Sequence, residues 1–425
     1  MKLIRGGRII DPKTSRDGVY DILIEGTVIR EISDTIKRTD SKTQVIDASG
    51  YIVAPGLVDV HCHLREPGFE YKETIATGTE AAVRGGFTTI VCMANTNPVN
   101  DNRSITEFII DKARSEGKCK VLPCGAITRG LRGEELSEIG EMFSAGIIAI
   151  SDDGRSVSNA GLLRKAMEYA KIFRLPVISH CEDDTLSGGS VHEGEASLLN
   201  GLEGIPAIAE ELMVERDIAI ARYVDVPVHI THISTGGSTR IIEAARKAFH
   251  KVTADTCPHY FSLTDQATLT YDTNTKVNPP LRSKADVDAI KEGLRKGTID
   301  IIATDHAPHE FTSKDVEFDL ATFGISGFET ALALSLSLVR EGVLDMPGLL
   351  RKMTTNPANL LGIDSGTISE GAPADIIIFD PDREWTVDSA SFVSKGKNTP
   401  FHGWTLRGKN LFTMVDGKIV FNELK

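Results

Sequence analysis

Apolar residues in this chain fall into short β-prone runs, separated by longer stretches in which they recur every three or four positions. The runs are Leu57–Leu64, led in by Tyr51-Ile52-Val53, then Thr88–Met93, Lys120–Leu122, Gly146–Ile150, Leu175–Ser179, Val226–Thr231, Lys251–Asp255 and Ile299–Ala303. Between them the spacing predicts helices over Glu73–Arg84, Arg103–Glu116, Gly133–Ser144, Ala160–Phe173, Pro206–Tyr223, Ser238–Phe249 and Lys284–Arg295. Eight β/α units over about 300 residues predict a TIM (β/α)8 barrel, with an open doubly wound sheet as the alternative. An open sheet gathers its ligand residues near one switch point. Here polar residues follow five or more of the apolar runs, a distribution that a closed ring explains.

Both ends of the chain read differently. Lys2–Ile4, Gly7–Ile10, Tyr20–Ile24, Val28–Ile32 and Gln44–Ile46 are short strands broken by Gly, Pro and Asp. Ala374–Asp380 and Thr413–Phe421 look the same. Because the termini of a domain often lie close together, the economical arrangement is a small β-sandwich domain built from residues 1–54 and 363–425. Residues 55–362 are then inserted as the barrel.

At 425 residues the chain is long enough to build a large core without staples. Hydrophobic content of 41% and charged content of 25% are those of an ordinary soluble globular protein. The net charge of −13 argues against nucleic acid and anionic membranes as partners and leaves small molecules. An anionic substrate would then need local positive groups, Arg65 first among them. Six cysteines without C-x-x-C spacing read as reduced core residues. With no basic N-terminal signal and no apolar run of membrane length, a cytoplasmic location is expected.

Chemistry enters at the ends of the runs. Alternate strand residues share a face, so His61 and His63 project the same way, a few ångströms apart. A lone histidine is more often a core hydrogen-bonding group than a ligand. This pair is joined by Asn95, Asp152-Asp153, His180, His232 and Asp305-His306 at later run ends, positions that converge at the mouth of a TIM barrel. Such a donor set suits Zn2+, with cobalt and manganese next, better than magnesium or calcium, which prefer oxygen alone. Two ions per subunit are expected, because the donors exceed one tetrahedral shell; a single ion is the alternative.

The stretches Asp59–Gly68, Ser151–Gly154, His180, Thr231–Ser234 and Ala303–His309 resemble the dihydroorotase family of the amidohydrolase superfamily, in its longer bacterial class. The resemblance covers nearly the whole chain. It implies that His61, His63 and Asp305 surround one ion and that His180 and His232 hold the other. Many relatives bridge the ions with a carboxylated lysine on the fourth strand. No lysine stands at that strand end here, and the resemblance gives the bridging role to Asp153, with Asp152 as runner-up. It implies further that Asp305 is the general acid/base. Arg65, Asn95 and His309 would meet the substrate carboxylate, Asn278 the ring, His63 would also bind substrate, and Phe323 and Gly324 would offer backbone groups. The implied reaction is the reversible cyclisation of N-carbamoyl-L-aspartate to (S)-dihydroorotate plus water, in pyrimidine synthesis. A homodimer and contact with aspartate transcarbamoylase come with the family.

A metal-held hydroxide is nucleophilic near neutral pH and the ions polarise a carbonyl, so hydrolysis of a cyclic amide, or its reverse, needs no Ser or Cys nucleophile. Cys62 and Cys181 neighbour ligands but should face the other way, as should His306. Arg65 favours a substrate with a planar carboxylate, which a guanidinium grips with two parallel bonds. Allantoinases usually lack that arginine, and hydantoinases and dihydropyrimidinases typically keep the lysine. A non-catalytic scaffold homologue would have lost ligands, whereas every ligand position here is filled. The loop Glu310–Ser326 reads as a lid with Gly324 and Gly327 as hinges. His259 ends the seventh strand, and Tyr260 departs from the family pattern. His192, His229, His250 and His402 read as structural or surface residues.

Overall fold

In the computed structural model, which describes residues 1–37 and 42–424, eight strands pair in parallel in sequence order. They are Leu57–Cys62, Phe87–Cys92, Lys120–Gly125, Ala149–Ile150, Val177–Ser179, Val228–Ile230, Val252–Thr256 and Ile301–Ile302. The ring is drawn together by a parallel bridge between Cys62 and His306, where the His63 N–H donates to the His306 carbonyl at 2.9 Å. Val58, Val60, Val91, Met93, Cys124, Ala149, Ile178 and Ile301 fill its interior, with Leu361 packed against them. Leu57, Ile90, Val177 and Val228 pack outward on helix residues such as Ala82, Met142, Leu163, Val214 and Leu332. Strands buried on both faces in this way need apolar residues at nearly every position, which is why they read as unbroken runs.

Two helices, Arg103–Glu116 and Ala160–Phe173, have their predicted bounds, each capped by the side chain of the preceding asparagine. The helix predicted over Gly133–Ser144 is shorter, Ile139–Ala145. Thr128 bridges Leu136, and Gly133 takes φ +69°, so the first part of that stretch is a loop. A helix at Phe328–Arg340, not separately predicted, completes the eighth β/α unit. It is buried on most of its surface.

Strands from both ends of the chain share one further eight-stranded sheet. In it, Ile52–Pro55 runs antiparallel to Ile376–Thr386, with Val53 opposite Ile378. Ile4, Ile22, Ile29, Ile376 and Phe412 form its core. The lead-in Tyr51–Val53 is therefore not continuous with the first barrel strand. The chain passes from sheet to barrel at Gly56, where a Cβ would lie 2.1 Å from Thr88 Oγ1.

The first barrel strand carries an irregularity that the site depends on. Val58 and Val60 face the interior, so strict alternation would turn Cys62 inward and His61 and His63 out. Its pairing with Phe87–Cys92 slips between Asp59 and Cys62, and the slip reverses the parity. Both histidines enter the mouth, and Cys62 packs in the helix-side core. All six cysteines are buried and free. No helix among the described residues is long and apolar enough to cross a membrane.

Candidate metal centre and active site

The strand ends bring His61, His63, Asp153, His180, His232 and Asp305 into one buried cluster. His61 Nε2 lies 3.2 Å from Asp153 Oδ1 and 3.6 Å from Asp305 Oδ1. His63 Nε2 lies 3.0 Å from Asp305 Oδ1 and 3.5 Å from Asp153 Oδ2. His180 Nδ1 meets His232 Nε2 at 2.8 Å, and Asp153 Oδ1 lies 3.5 and 3.3 Å from those nitrogens. Asp153 therefore touches all four imidazoles. Asp152 is turned away, its Oδ1 accepting the N–H groups of Ile127 and Thr128 at 2.7 and 2.9 Å.

This arrangement fits a metal ion. Donor atoms of His61, Asp153 and His232 lie within 4.8 Å of one another, as do those of His61, His63 and Asp305. His61 Nε2 is buried without a hydrogen-bond partner, a cost that a cation on its lone pair would remove. Burial opposes charge on His61, but Asp153 and Asp305 outweigh it and raise its pKa to about 9. Burial is likewise outweighed at His180, by Asp153 and Glu182, and its pKa rises to about 10. The Asp305 carboxyl, despite burial, is brought down to about 2 by its bond to His63 and by the surrounding imidazoles. The two carboxylates thus favour positive charge at His61 and His180, and a cation bound at these nitrogens would compete with protons for the same lone pairs.

Other side chains set which nitrogen is offered. His61 Nδ1 lies 2.7 Å from Thr231 Oγ1, whose hydroxyl donates to Asp255 Oδ2 at 2.9 Å. With that hydrogen committed, Nδ1–H must be the donor, so the neutral ring keeps its lone pair on Nε2, available to a cation. The other Asp255 oxygen accepts the His232 N–H at 2.7 Å. His63 Nδ1 is paired with Asn95 Oδ1 at 2.9 Å, to the same effect. Backbone conformation adds to this aim: Arg65, His232 and Asp305 have φ of +63°, +39° and +43°, left-handed values that non-glycine residues rarely adopt.

A cavity of about 330 Å³ opens onto the cluster, and Arg65, Asn95, Asn278, His309, Phe323 and Gly324 all line it. Arg65 is part-buried; its Nε donates to the Pro308 carbonyl at 3.2 Å, and Nη2 lies 3.2 Å from His309 Nε2. Burial, with the charges of Arg65 and Lys72, keeps His309 neutral, and its Nε2 lies 2.8 Å from the Phe323 carbonyl. Gly324 has φ +141°, and a Cβ there would lie 2.7 Å from the Ala307 carbonyl oxygen. Only glycine lets this backbone form the wall. The loop Glu310–Ser326 is fastened down: Lys314 Nζ donates to the carbonyls of Thr273, Lys276 and Thr322 at 3.0, 3.2 and 2.6 Å.

His306 does point away, stacked on Phe328 at 4.1 Å with Nδ1 accepting the Gly327 N–H. His229 is buried inside the barrel, 2.7 Å from Asp255. His259 is buried against Tyr260 at 4.2 Å, and burial takes its pKa down to about 4. Sequence reasoning misses Thr231, Asp255 and Glu182. The available signals are a carboxylate at the end of the seventh run and an acid two residues beyond His180.

Residues 178–421 match the model of the Amidohydrolase family, and residues 50–238 match the model described as Dihydro-orotase-like. The structure of L-hydantoinase (dihydropyrimidinase) from Arthrobacter aurescens shares the fold, with a TM-score of 0.90 at 24% identity over 100% of this chain and 96% of that one. D-Hydantoinase from Bacillus sp. AR9 gives 0.87 at 25% identity over 100% and 96%. Fold and family define a cyclic amidohydrolase. The dihydroorotases of Geobacter metallireducens and Acetivibrio thermocellus are 54% and 52% identical to the chain, each alignment covering 99% of both sequences. The chain belongs to the dihydroorotase family.

Proposed function

We infer that the chain is a zinc-dependent dihydroorotase interconverting N-carbamoyl-L-aspartate and (S)-dihydroorotate plus water. The observation that carries this reading is Arg65, in contact with His309 on the wall of the same cavity that Asn95 and the His/Asp cluster line. A carboxylate bound there places the adjoining ring amide at the cluster.

His61, His63 and Asp305 would hold one ion and His180 and His232 a second, with Asp153 between them. When bound, zinc supplies Lewis acidity toward water and toward the amide carbonyl. Asp305, kept ionised by its neighbours, takes the proton of the attacking water and passes it to the departing ring nitrogen; ring closure runs the same transfer backward. Arg65, Asn95 and His309 hold the carboxylate, His63 lines the same cavity, Asn278 meets the ring, and the backbone at Phe323 and Gly324 closes the wall. The reading extends, by family resemblance alone, to a cytosolic homodimer in pyrimidine synthesis that contacts aspartate transcarbamoylase.

The test is an ultraviolet assay of the purified protein with dihydroorotate, allantoin and dihydrouracil, with metal quantified on the same sample. Turnover confined to dihydroorotate by zinc-loaded protein is the expected result. Turnover of allantoin or dihydrouracil instead would overturn the Arg65 argument. Inactivity of zinc-loaded protein, even with aspartate transcarbamoylase added, would reject the reaction.

A further inference from the structure

Glu182 belongs to neither the ligand cluster nor the cavity wall, yet it touches a member of each. Its Oε2 lies 3.2 Å from His180 Nε2 and 3.0 Å from Asn278 Nδ2. The side chain is only 13% exposed, so water does not compete freely for these bonds. Its main chain is pinned as well: Ser156 Oγ accepts the Glu182 N–H at 2.8 Å and donates to the His180 carbonyl at 2.8 Å.

We propose that Glu182 is a positioning residue that fixes, through one carboxylate oxygen, both the nitrogen His180 offers to metal and the face Asn278 offers to substrate. This rests on reading the cluster as a metal centre and the cavity as a substrate site. An ionised carboxylate only accepts hydrogen bonds. A neutral His180 must therefore carry its proton on Nε2, which leaves the lone pair on Nδ1, the nitrogen that faces Asp153 and His232. By the same rule Asn278 must turn its NH2 toward Glu182. Its Oδ1, buried and without a partner, is left as an acceptor on a residue that lines the cavity. An acceptor at that place suits the ring N–H of a cyclic amide or ureide. Leaving it unpaired would penalise a ring that lacks the N–H.

Because both bonds end on one oxygen, the two functions fail together when it is removed. Glu182→Leu should weaken zinc binding by about 10- to 100-fold, the range for lost partners of metal-ligating histidines. This is read by chelator competition on substrate-free protein. It should also raise KM for dihydroorotate by about tenfold, the effect of one lost hydrogen bond. Glu182→Gln places an accepting oxygen at the same position and should recover most of both losses; it also serves if the leucine variant does not fold. On an Asn278→Ala background, Glu182→Leu should leave KM nearly unchanged while still weakening zinc. Wild-type zinc affinity and KM in Glu182→Leu, or a glutamine variant as impaired as the leucine one, would overturn the proposal. Additive KM effects with Asn278→Ala would overturn it too. Failure of the underlying reading is distinct, because the wild-type protein would then hold no zinc or turn over no dihydroorotate.

Discussion

Thr304 donates its backbone N–H and its hydroxyl to the two carboxylate oxygens of Asp59, at 2.9 and 2.6 Å. These bonds fasten the last barrel strand to the first, immediately before Asp305. Burial raises the Asp59 carboxyl to about 7, against the opposing pull of the Thr304 bonds. Thr304→Val keeps the shape but strands one buried oxygen, so it should cost about 1–3 kcal/mol of stability. It should also lower turnover, by loosening the anchor of Asp305. Urea unfolding and kcat of the valine and serine variants test this, serine being expected to recover most of both. A valine variant as stable as wild type would show that the clasp does not hold the ring.

Asp305→Ala should reduce turnover by about 10²- to 10⁴-fold, the usual contribution of a general acid or base. The remaining ligands should still retain zinc. Metal analysis beside the activity assay separates the two effects, and retained turnover would reject Asp305 as the proton carrier.

Arg65→Met removes the carboxylate clamp without reaching the ligands. KM for dihydroorotate should rise about 10- to 100-fold, as for the loss of a charge-assisted bond. Binding of dihydrouracil, which lacks the carboxylate, should hardly change. Equal losses for both compounds would mean that Arg65 shapes the cavity rather than recognising charge.

Thr231→Val breaks the link between His61 Nδ1 and Asp255. Zinc affinity should fall about tenfold or more, since the imidazole is then free to carry its proton on Nε2. Chelator competition would show it, and an unchanged affinity would remove Thr231 from the metal-supporting set.

Glu329 is not among the residues that line the site cavity. Its Oε1 accepts the N–H groups of Val393 and Ser394 at 2.9 and 3.4 Å, and burial raises its carboxyl from 4.5 to about 7. Between those pH values the folded chain binds this proton more tightly than the unfolded chain. The associated stabilisation is complete below pH 4.5 and is lost as pH rises through 7. Glu329→Gln keeps the accepting oxygen and has no proton to lose. Relative to wild type it should be more stable at pH 8, by on the order of 1–3 kcal/mol, and nearly equal at pH 4.5. Denaturation midpoints at the two pH values decide, and a difference independent of pH would count against it.

The alternation of strands and helices is legible in the chain because burial on two faces leaves an unbroken apolar run and burial on one face leaves a helical period. Where burial departs from those patterns, legibility fails. Phe328–Arg340 is buried on most of its surface, and Gly133–Leu136 is held as a loop by Thr128.

The sequence by itself determined that imidazoles and carboxylates stand at the ends of successive strands, since strand order and the polar residue after each run are local properties. Which of those groups meet was decided only in three dimensions. His61 and His63 face the mouth because the first strand slips against its neighbour. Asp153 rather than Asp152 reaches the imidazoles, because the loop at Ile127-Thr128 claims the other carboxylate. Thr231, Asp255 and Glu182 gain their roles from partners on other strands and loops. A buried polar group must be paired, but the partner is supplied by whichever segment packs beside it. The periodicity of a single segment does not carry that long-range choice.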